Sequence, residues 1–145
     1  MITEIRGEAE MKAFAEKIGR QLRGGEVFEL IGDIGAGKTT FTKGLASGLA
    51  IDDDVQSPSF TISRMYEGRD GIQLAHYDFY RLDDPGIMTQ EIRELVHDPT
   101  TVTVIEWADV VEGVLPEDRI QLRISSPSEA LRHVEIKALP KEIIL

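Results

Sequence analysis

Residues 26–40 read Glu-Val-Phe-Glu-Leu-Ile-Gly-Asp-Ile-Gly-Ala-Gly-Lys-Thr-Thr. The short apolar run Val27 to Ile31 predicts a buried strand. Gly32, Asp33, Ile34, Gly35, Ala36, Gly37, Lys38 and Thr39 fit the spacing G-x-x-x-x-G-K-S/T. Phe41, Leu45 and Leu49 then recur at i, i+4 and i+8, as one face of a helix does. Strand, glycine-rich loop and helix in this order are the context that a phosphate-binding P-loop requires.

Each residue type in the loop suits that chemistry. A polyphosphate is held by backbone N–H groups that converge at a helix N-terminus, where the peptide dipoles leave partial positive charge. Glycine permits the positive φ and the close backbone approach of such a nest. The expected phosphate-binding residues are therefore Gly35, Ala36, Gly37, Lys38, Thr39 and Thr40. Lys38 supplies a point charge for the β and γ phosphates, the Thr39 hydroxyl is placed for Mg²⁺, and Thr40 adds a hydroxyl near the α phosphate. The plainer reading, a glycine-rich turn beside a surface lysine, leaves the matching strand and helix unexplained.

The rest of the composition bounds the answer. At 145 residues the chain is read as a single domain, 1–145, large enough for one core. Its 41% apolar and 29% charged residues are those of an ordinary globular protein. It has no cysteine, which removes disulfides and thiolate chemistry and suits a reducing compartment. The start of the chain has no signal-peptide pattern, and no stretch approaches the length of a membrane span, so a cytoplasmic protein with no membrane role is expected. The net charge of −10 argues against strong direct binding of nucleic acid, which needs Lys and Arg to neutralise phosphates. Any role with nucleic acid would run through a partner. For most of the carboxylates, solubility is the simpler explanation.

Taken in order, Met1 to Ile5 predicts a short edge strand. Glu8 to Leu22 predicts a packing helix, with Met11, Phe14, Ala15, Ile18 and Leu22 on one face and Gly24-Gly25 ending it. Gly44 and Gly48 are expected to let the helix after the P-loop lie close to the sheet. Phe60 to Tyr66 and Ile72 to Tyr80 predict an antiparallel hairpin around Glu67-Gly68-Arg69-Asp70-Gly71. Asp84 and Pro85 are read as N-cap and first residue of a helix with a stripe of Met88, Ile92, Leu95 and Val96, ended by His97-Asp98-Pro99. Thr101 to Ile105 is a β-branched run ending in Glu106. Arg119 to Ser125 and Leu131 to Leu139 predict a closing antiparallel pair. The tail, 140–145, carries no clear signal. The fold class that follows is α/β: a P-loop NTPase-like mixed sheet with flanking helices and an antiparallel hairpin portion.

Several side chains outside the loop are candidates for chemistry. Glu106 ends a buried strand, where a carboxylate can hold Mg²⁺ opposite Thr39; a surface glutamate is the alternative. Period two places His76, Asp78 and Tyr80 on one face of their strand and Tyr77, Phe79 and Arg81 on the other. Asp78 is costly among apolar neighbours unless paired or metal-bound, so it is read as a metal-shell ligand or as the group that orients an attacking water; an ion pair with Arg81 is the alternative. The catalytic set expected is thus Lys38, Asp78 and Glu106, with Thr39 and Glu106 on the metal. His76 stays open between a hydrogen-bonding and a catalytic role. Trp107 is a packing group, or else shapes the metal site or a partner surface. The loop Ser57-Pro58-Ser59-Phe60-Thr61 has the composition of a nucleotide-sensing switch, and equally of an ordinary turn.

Together, Gly-Asp-Ile-Gly-Ala-Gly-Lys-Thr-Thr at 32–40, Ser-Pro-Ser-Phe-Thr at 57–61, His-Tyr-Asp-Phe-Tyr-Arg-Leu at 76–82 and Ile-Glu-Trp at 105–107 resemble the TsaE family of small bacterial P-loop ATPases. The resemblance covers Gly32 to about Trp107. It implies binding of ATP and Mg²⁺, weak ATP hydrolysis, and action with the partner proteins TsaB and TsaD. It implies a role in threonylcarbamoylation of adenosine 37 in tRNAs that read codons starting with A, with tRNA engaged indirectly through the complex. It places Gly35 to Thr40 on the phosphates, Thr39 and Glu106 on Mg²⁺, and Asp78 at the metal or hydrolysis site. Two departures stand out. Position 59 is Ser where the family pattern has Thr, and the run after Pro85, Gly-Ile-Met-Thr-Gln-Glu-Ile, is less acidic than the family's. No motif marks the adenine pocket; helix-one residues near Glu8 and the closing strands are its expected walls.

Rival readings fare less well. A GTPase needs an Asn-Lys-x-Asp base-reading motif, and the chain contains no Asn. A small-molecule kinase needs an acceptor pocket and usually an arginine-bearing lid, and no such insertion is visible. A nucleotide-dependent binding module with incidental hydrolysis remains compatible with every motif.

Overall fold

The computed structural model describes residues 2–33, 35, 37–52, 54–56, 63–80 and 82–145. In chain order these form β1 (Ile2–Arg6), α1 (Gly7–Gly19), β2 (Val27–Ile31), α2 (Lys38–Gly48), β3 (Ser63–Glu67), β4 (Gln73–Asp78), α3 (Met88–Leu95), β5 (Thr101–Glu106), β6 (Ile120–Ser125) and β7 (Leu131–Lys137). Short 3-10 helices span Arg69–Gly71 and Ala108–Val114.

The strands make a seven-stranded mixed sheet in the order β1-β7-β6-β2-β5-β4-β3. β6, β2, β5 and β4 run parallel at its centre; β1, β7 and β3 add antiparallel flanks. The expected edge strand, hairpin and closing pair are all present. That β6 also pairs in parallel with β2 was not visible in the sequence.

Parallel strands need crossovers that cover both faces, which is why β5 is buried at all six positions. On one face Phe28, Leu30, Leu74, Val102, Val104 and Leu122 meet Met11, Ala15, Ile18, Phe41, Leu45 and Leu49 of α1, α2 and its end. On the other, Val27, Ala75, Tyr77 and Ile105 meet Ile92 and Val96 of the α3 region and Ala108, Val111 and Leu115 of the following segment. By period two, His76, Asp78 and Glu106 fall on the face that α1 and α2 cover.

Three expectations need correction. Gly44 and Gly48 bring α2 against α1, not against the sheet. A Cβ at Gly44 would lie 2.5 Å from the Ala15 Cβ and from the Lys12 carbonyl oxygen, and one at Gly48 would lie 2.5 Å from the Glu16 carbonyl oxygen. Helix α3 begins at Met88, not at Pro85. Gly86 sits at φ +57, which cannot continue a right-handed helix, and the Asp84 carboxylate accepts the Gly86 N–H in a turn of its own. Helix α1 ends at Gly19, ahead of Gly24-Gly25. The carbonyls that would extend it are taken by Arg69, whose guanidinium donates to Gly19, Arg20 and Leu22 at 2.8–3.1 Å and to Gly48 at 3.2 Å. One arginine thus caps the C-terminal ends of α1 and α2 together. The tail is anchored: Gln21 exchanges two hydrogen bonds with the Ile144 backbone at 2.7 Å, and Ile143 is buried. The expected strand residues 60–62 and the loop 57–61 lie outside the described residues.

Because the two helices touch backbone to backbone, Gly44→Ala is expected to destabilise the protein by about 2 kcal/mol through overpacking. Gly113→Ala, whose Cβ would meet nothing within 4 Å, should stay within about 0.5 kcal/mol of the parent. Urea denaturation distinguishes the two; equal midpoints would contradict this packing.

Candidate functional site

The parallel strands β2, β5 and β4 end on one side of the sheet, and the glycine-rich loop leaves from β2 there. Gly35 and Gly37 have φ of +80 and +108, the left-handed region where a side chain is strained. Gly37 is the N-cap of α2, and its carbonyl accepts the Phe41 N–H at 2.9 Å. Lys38 and Thr39 therefore open the helix, with its partial positive end turned towards the loop. Ala36 lies outside the described residues.

Strand register then delivers the acids. Glu106 is paired with Leu30 on one side and with Asp78 on the other. Two carboxylates thus stand on neighbouring strands, on one face, beside the start of the loop. Asp78 is 7% exposed, Glu106 3%, Lys38 6% and His76 not at all, so their charges have little help from water. Lys38 is the cation among them. Its Nζ donates to the Gly32 carbonyl at 2.6 Å, lies 3.9 Å from Glu106 Oε1, and stands 4.1 Å above the centre of the Trp107 ring. Burial pulls the Lys38 ammonium below its usual pKa, while Glu106, Asp78 and Asp33 pull it back up.

The second Glu106 oxygen belongs to another partner. Oε2 is 2.7 Å from His76 Nε2. His76 Nδ1 is buried and without a hydrogen-bond partner. A carboxylate oxygen accepts, so His76 Nε2–H is the donor of this contact. Asp78 Oδ1 accepts the Tyr80 N–H at 3.0 Å, which turns the chain after β4. The alternative partner, Arg81, lies outside the described residues.

Trp107 follows Glu106 at φ 56, ψ 52. A left-handed tryptophan is an outlier that costs about 1–3 kcal/mol, and such strain gathers at functional sites. Here it turns the chain out of β5 so that the ring covers Lys38 and packs on Tyr80, 5.0 Å between ring centres.

Next to the loop is a cavity of about 360 Å³ lined by Gly7, Glu8 and Met11 of α1, by Gly35, Gly37 and Thr40, and by Glu129, Ala130 and Arg132 from the β6–β7 connection and β7. Helix one near Glu8 and the closing strands, the segments expected to wall an adenine pocket, both line this cavity. Arg132 Nη1 donates to the Ser128, Glu129 and Leu131 carbonyls at 3.0–3.1 Å and so shapes that side.

The residues fit a magnesium–polyphosphate ligand. Left-handed glycines at a helix N-terminus suit an anion. A hard divalent cation prefers carboxylate and hydroxyl oxygens, which Asp78, Glu106 and Thr39 offer. Among the described residues no three His, Cys, Asp or Glu side chains converge as a complete metal cage. Such a cage is not needed for Mg²⁺, which keeps water and phosphate ligands.

The structure thus brings Lys38, Asp78 and Glu106 together and sets Gly35, Gly37 and Thr40 along the adjoining cavity. His76 is the residue that sequence reasoning left open; its signal was its place two residues before Asp78 on the same face. No sequence signal pointed to Arg132.

Fold and site together define a mixed α/β protein in which a strand–glycine loop–helix unit faces two strand-end carboxylates. The sequence matches the family described as threonylcarbamoyl adenosine biosynthesis protein TsaE over residues 5–134. The tRNA threonylcarbamoyladenosine biosynthesis protein TsaE of Bacillus subtilis is 40% identical over 131 residues, 90% of this chain and 80% of that protein. The protein of the same description in Streptomyces coelicolor is 37% identical over 135 residues, 89% of this chain and 90% of that one. The crystal structure of Bacillus subtilis YdiB superposes with a TM-score of 0.79 at 34% identity, covering 99% of this chain and 88% of that chain. This chain belongs to the TsaE family.

At Gly37 a Cβ would meet only the Met11 methyl, at an ordinary 3.5 Å, so the constraint is the backbone angle and not space. Gly37→Val is expected to cost about 1–2 kcal/mol and Gly37→Asn clearly less, since Asn tolerates left-handed angles. Equal losses in urea denaturation would show that crowding is the cause.

Proposed function

We propose that this protein is a Mg²⁺-dependent, ATP-binding and slowly ATP-hydrolysing subunit of the machinery that threonylcarbamoylates adenosine 37 of tRNAs reading A-starting codons. It acts in the cytoplasm with TsaB and TsaD. Membership of the TsaE family and the names of its relatives support the pathway. The observation that carries the ATPase part is the buried group of Lys38, Glu106 and Asp78 at the mouth of a left-handed glycine loop.

In this reading the backbone N–H groups of Gly35 to Thr40 hold the phosphates, with Lys38 on the β and γ groups and the Thr40 hydroxyl near the α phosphate. Thr39 and Glu106 hold the metal. A cation held there would supply positive charge against the phosphates. Asp78 orients water on the hydrolytic side, or holds a metal-bound water. Trp107 and Tyr80 exclude solvent beside Lys38, which strengthens each charge interaction. The nucleoside end takes the cavity between Glu8, Met11 and Arg132. The net charge of −10 supports contact with tRNA through the partners and not through this chain alone. Among the described residues no helix is long and apolar enough to cross a membrane.

Calorimetric titration with ATP, with and without Mg²⁺, tests the site. Lys38→Ala is expected to weaken nucleotide binding by about a hundredfold, the worth of one or two charge-assisted hydrogen bonds. Glu106→Ala should keep metal-free nucleotide binding and lose Mg²⁺-dependent hydrolysis by roughly a hundredfold. Unchanged metal dependence in the Glu106 variant would refute its assignment. Single-turnover hydrolysis should change in rate when TsaB and TsaD are added; identical rates and affinities would count against the tRNA-modification role.

A further inference from the structure

We propose that His76 is the positioning residue of this site: an imidazole that fixes one oxygen of Glu106 and thereby presents the other to the cation. The inference rests on the reading of Glu106 as a magnesium ligand and assigns the device that aims it.

The two oxygens of Glu106 are differently engaged. Oε2 lies 2.7 Å from His76 Nε2, while Oε1 is turned to the Lys38 ammonium at 3.9 Å. His76 is wholly buried in β4, in register with Val104 of β5, two residues before Glu106. A side chain in that position cannot choose among rotamers as an exposed one does, so its N–H points in one direction. A carboxylate oxygen accepts, so the contact is made by an Nε2–H of His76, and Nδ1 takes no part in it. Glutamate has three side-chain torsions, and the hydrogen bond from His76 selects among those that the buried site leaves to Glu106. Outer partners that orient a ligating carboxylate act in this way at metal sites, and losing one typically weakens metal affinity 10–100-fold. His76 is not placed as the base for an attacking water, because Nε2 faces Glu106 and Nδ1, the nitrogen left to accept a proton, is buried away from solvent.

The test is Mn²⁺ binding to the full chain in saturating ADP, followed by electron paramagnetic resonance, with ADP affinity measured separately in EDTA. His76→Phe removes the donor. His76→Asn carries one that is too short to reach, and serves if the Phe variant does not fold. His76→Gln places an amide N–H near the site of Nε2. His76→Phe and His76→Asn are expected to lose about 10–100-fold in Mn²⁺ affinity while metal-free ADP affinity stays within about twofold. His76→Gln should recover most of the loss. The inference is overturned if the Phe or Asn variant binds Mn²⁺ as the parent does, or if Gln is no better than Asn. A parent protein that takes up no Mn²⁺ with ADP would overturn the magnesium–nucleotide reading itself, and this inference with it.

Discussion

Lys38 carries a positive charge into a place that water scarcely reaches, and much of the surrounding structure serves to keep it there. An unpaired ammonium in such a site would give up its proton. Lys38 instead has a carbonyl, a carboxylate and an aromatic face around it, each from a different segment. Gly32 belongs to the loop, Glu106 to β5, and Trp107 to the left-handed turn after it. A charge held beside the start of α2 by such partners is consistent with the proposed phosphate contact.

The sheet makes this possible through register. Parallel strands bring their C-terminal ends to one side, so β2, β5 and β4 deliver the loop, Glu106 and Asp78 within one layer. Pairing Glu106 with Asp78 places two acids side by side, an arrangement that is unfavourable unless a cation stands between or beside them. A slip of one residue in β4 would turn Asp78 and His76 to the α3 face and leave Glu106 alone. The apolar clusters on both faces hold that register, and the close α1–α2 contact at Gly44 and Gly48 holds the helix that carries Lys38. Stability invested in the core thus supports a site that is itself strained at Trp107.

The sequence was most legible where chemistry leaves little freedom. The loop spacing and the apolar run before it identified β2 at both of its ends, and the stripe after it identified α2 as a helix, because glycine at positive φ has few substitutes. Glu106 was legible as an acid ending a buried strand, and Asp78 as an acid among apolar strand neighbours; that Asp78 ends β4 was not. Other features depend on contacts between distant segments. Nothing local says that Arg69 caps two helices, that β6 joins β2 in parallel, or that Arg132 shapes a cavity. Gly44 and Gly48 were recognised as sites of close approach, but spacing alone cannot name the partner. Pro85 looked like a helix start because Asp-Pro commonly is one; Gly86 at positive φ overrode it. His76 remained ambiguous because a buried histidine is defined by its partner, and that partner lies thirty residues away in sequence.

The most direct measurement is a crystal structure of the protein grown with ADP and Mg²⁺. The account predicts diphosphate oxygens against the backbone amides of the glycine-rich loop, the Lys38 ammonium moved from the Gly32 carbonyl to the β phosphate, and the cation facing the Thr39 hydroxyl and Glu106, with His76 still on the other oxygen of Glu106. Nucleotide bound elsewhere, or a loop without phosphate beside a Lys38 that keeps its present partners, would contradict it.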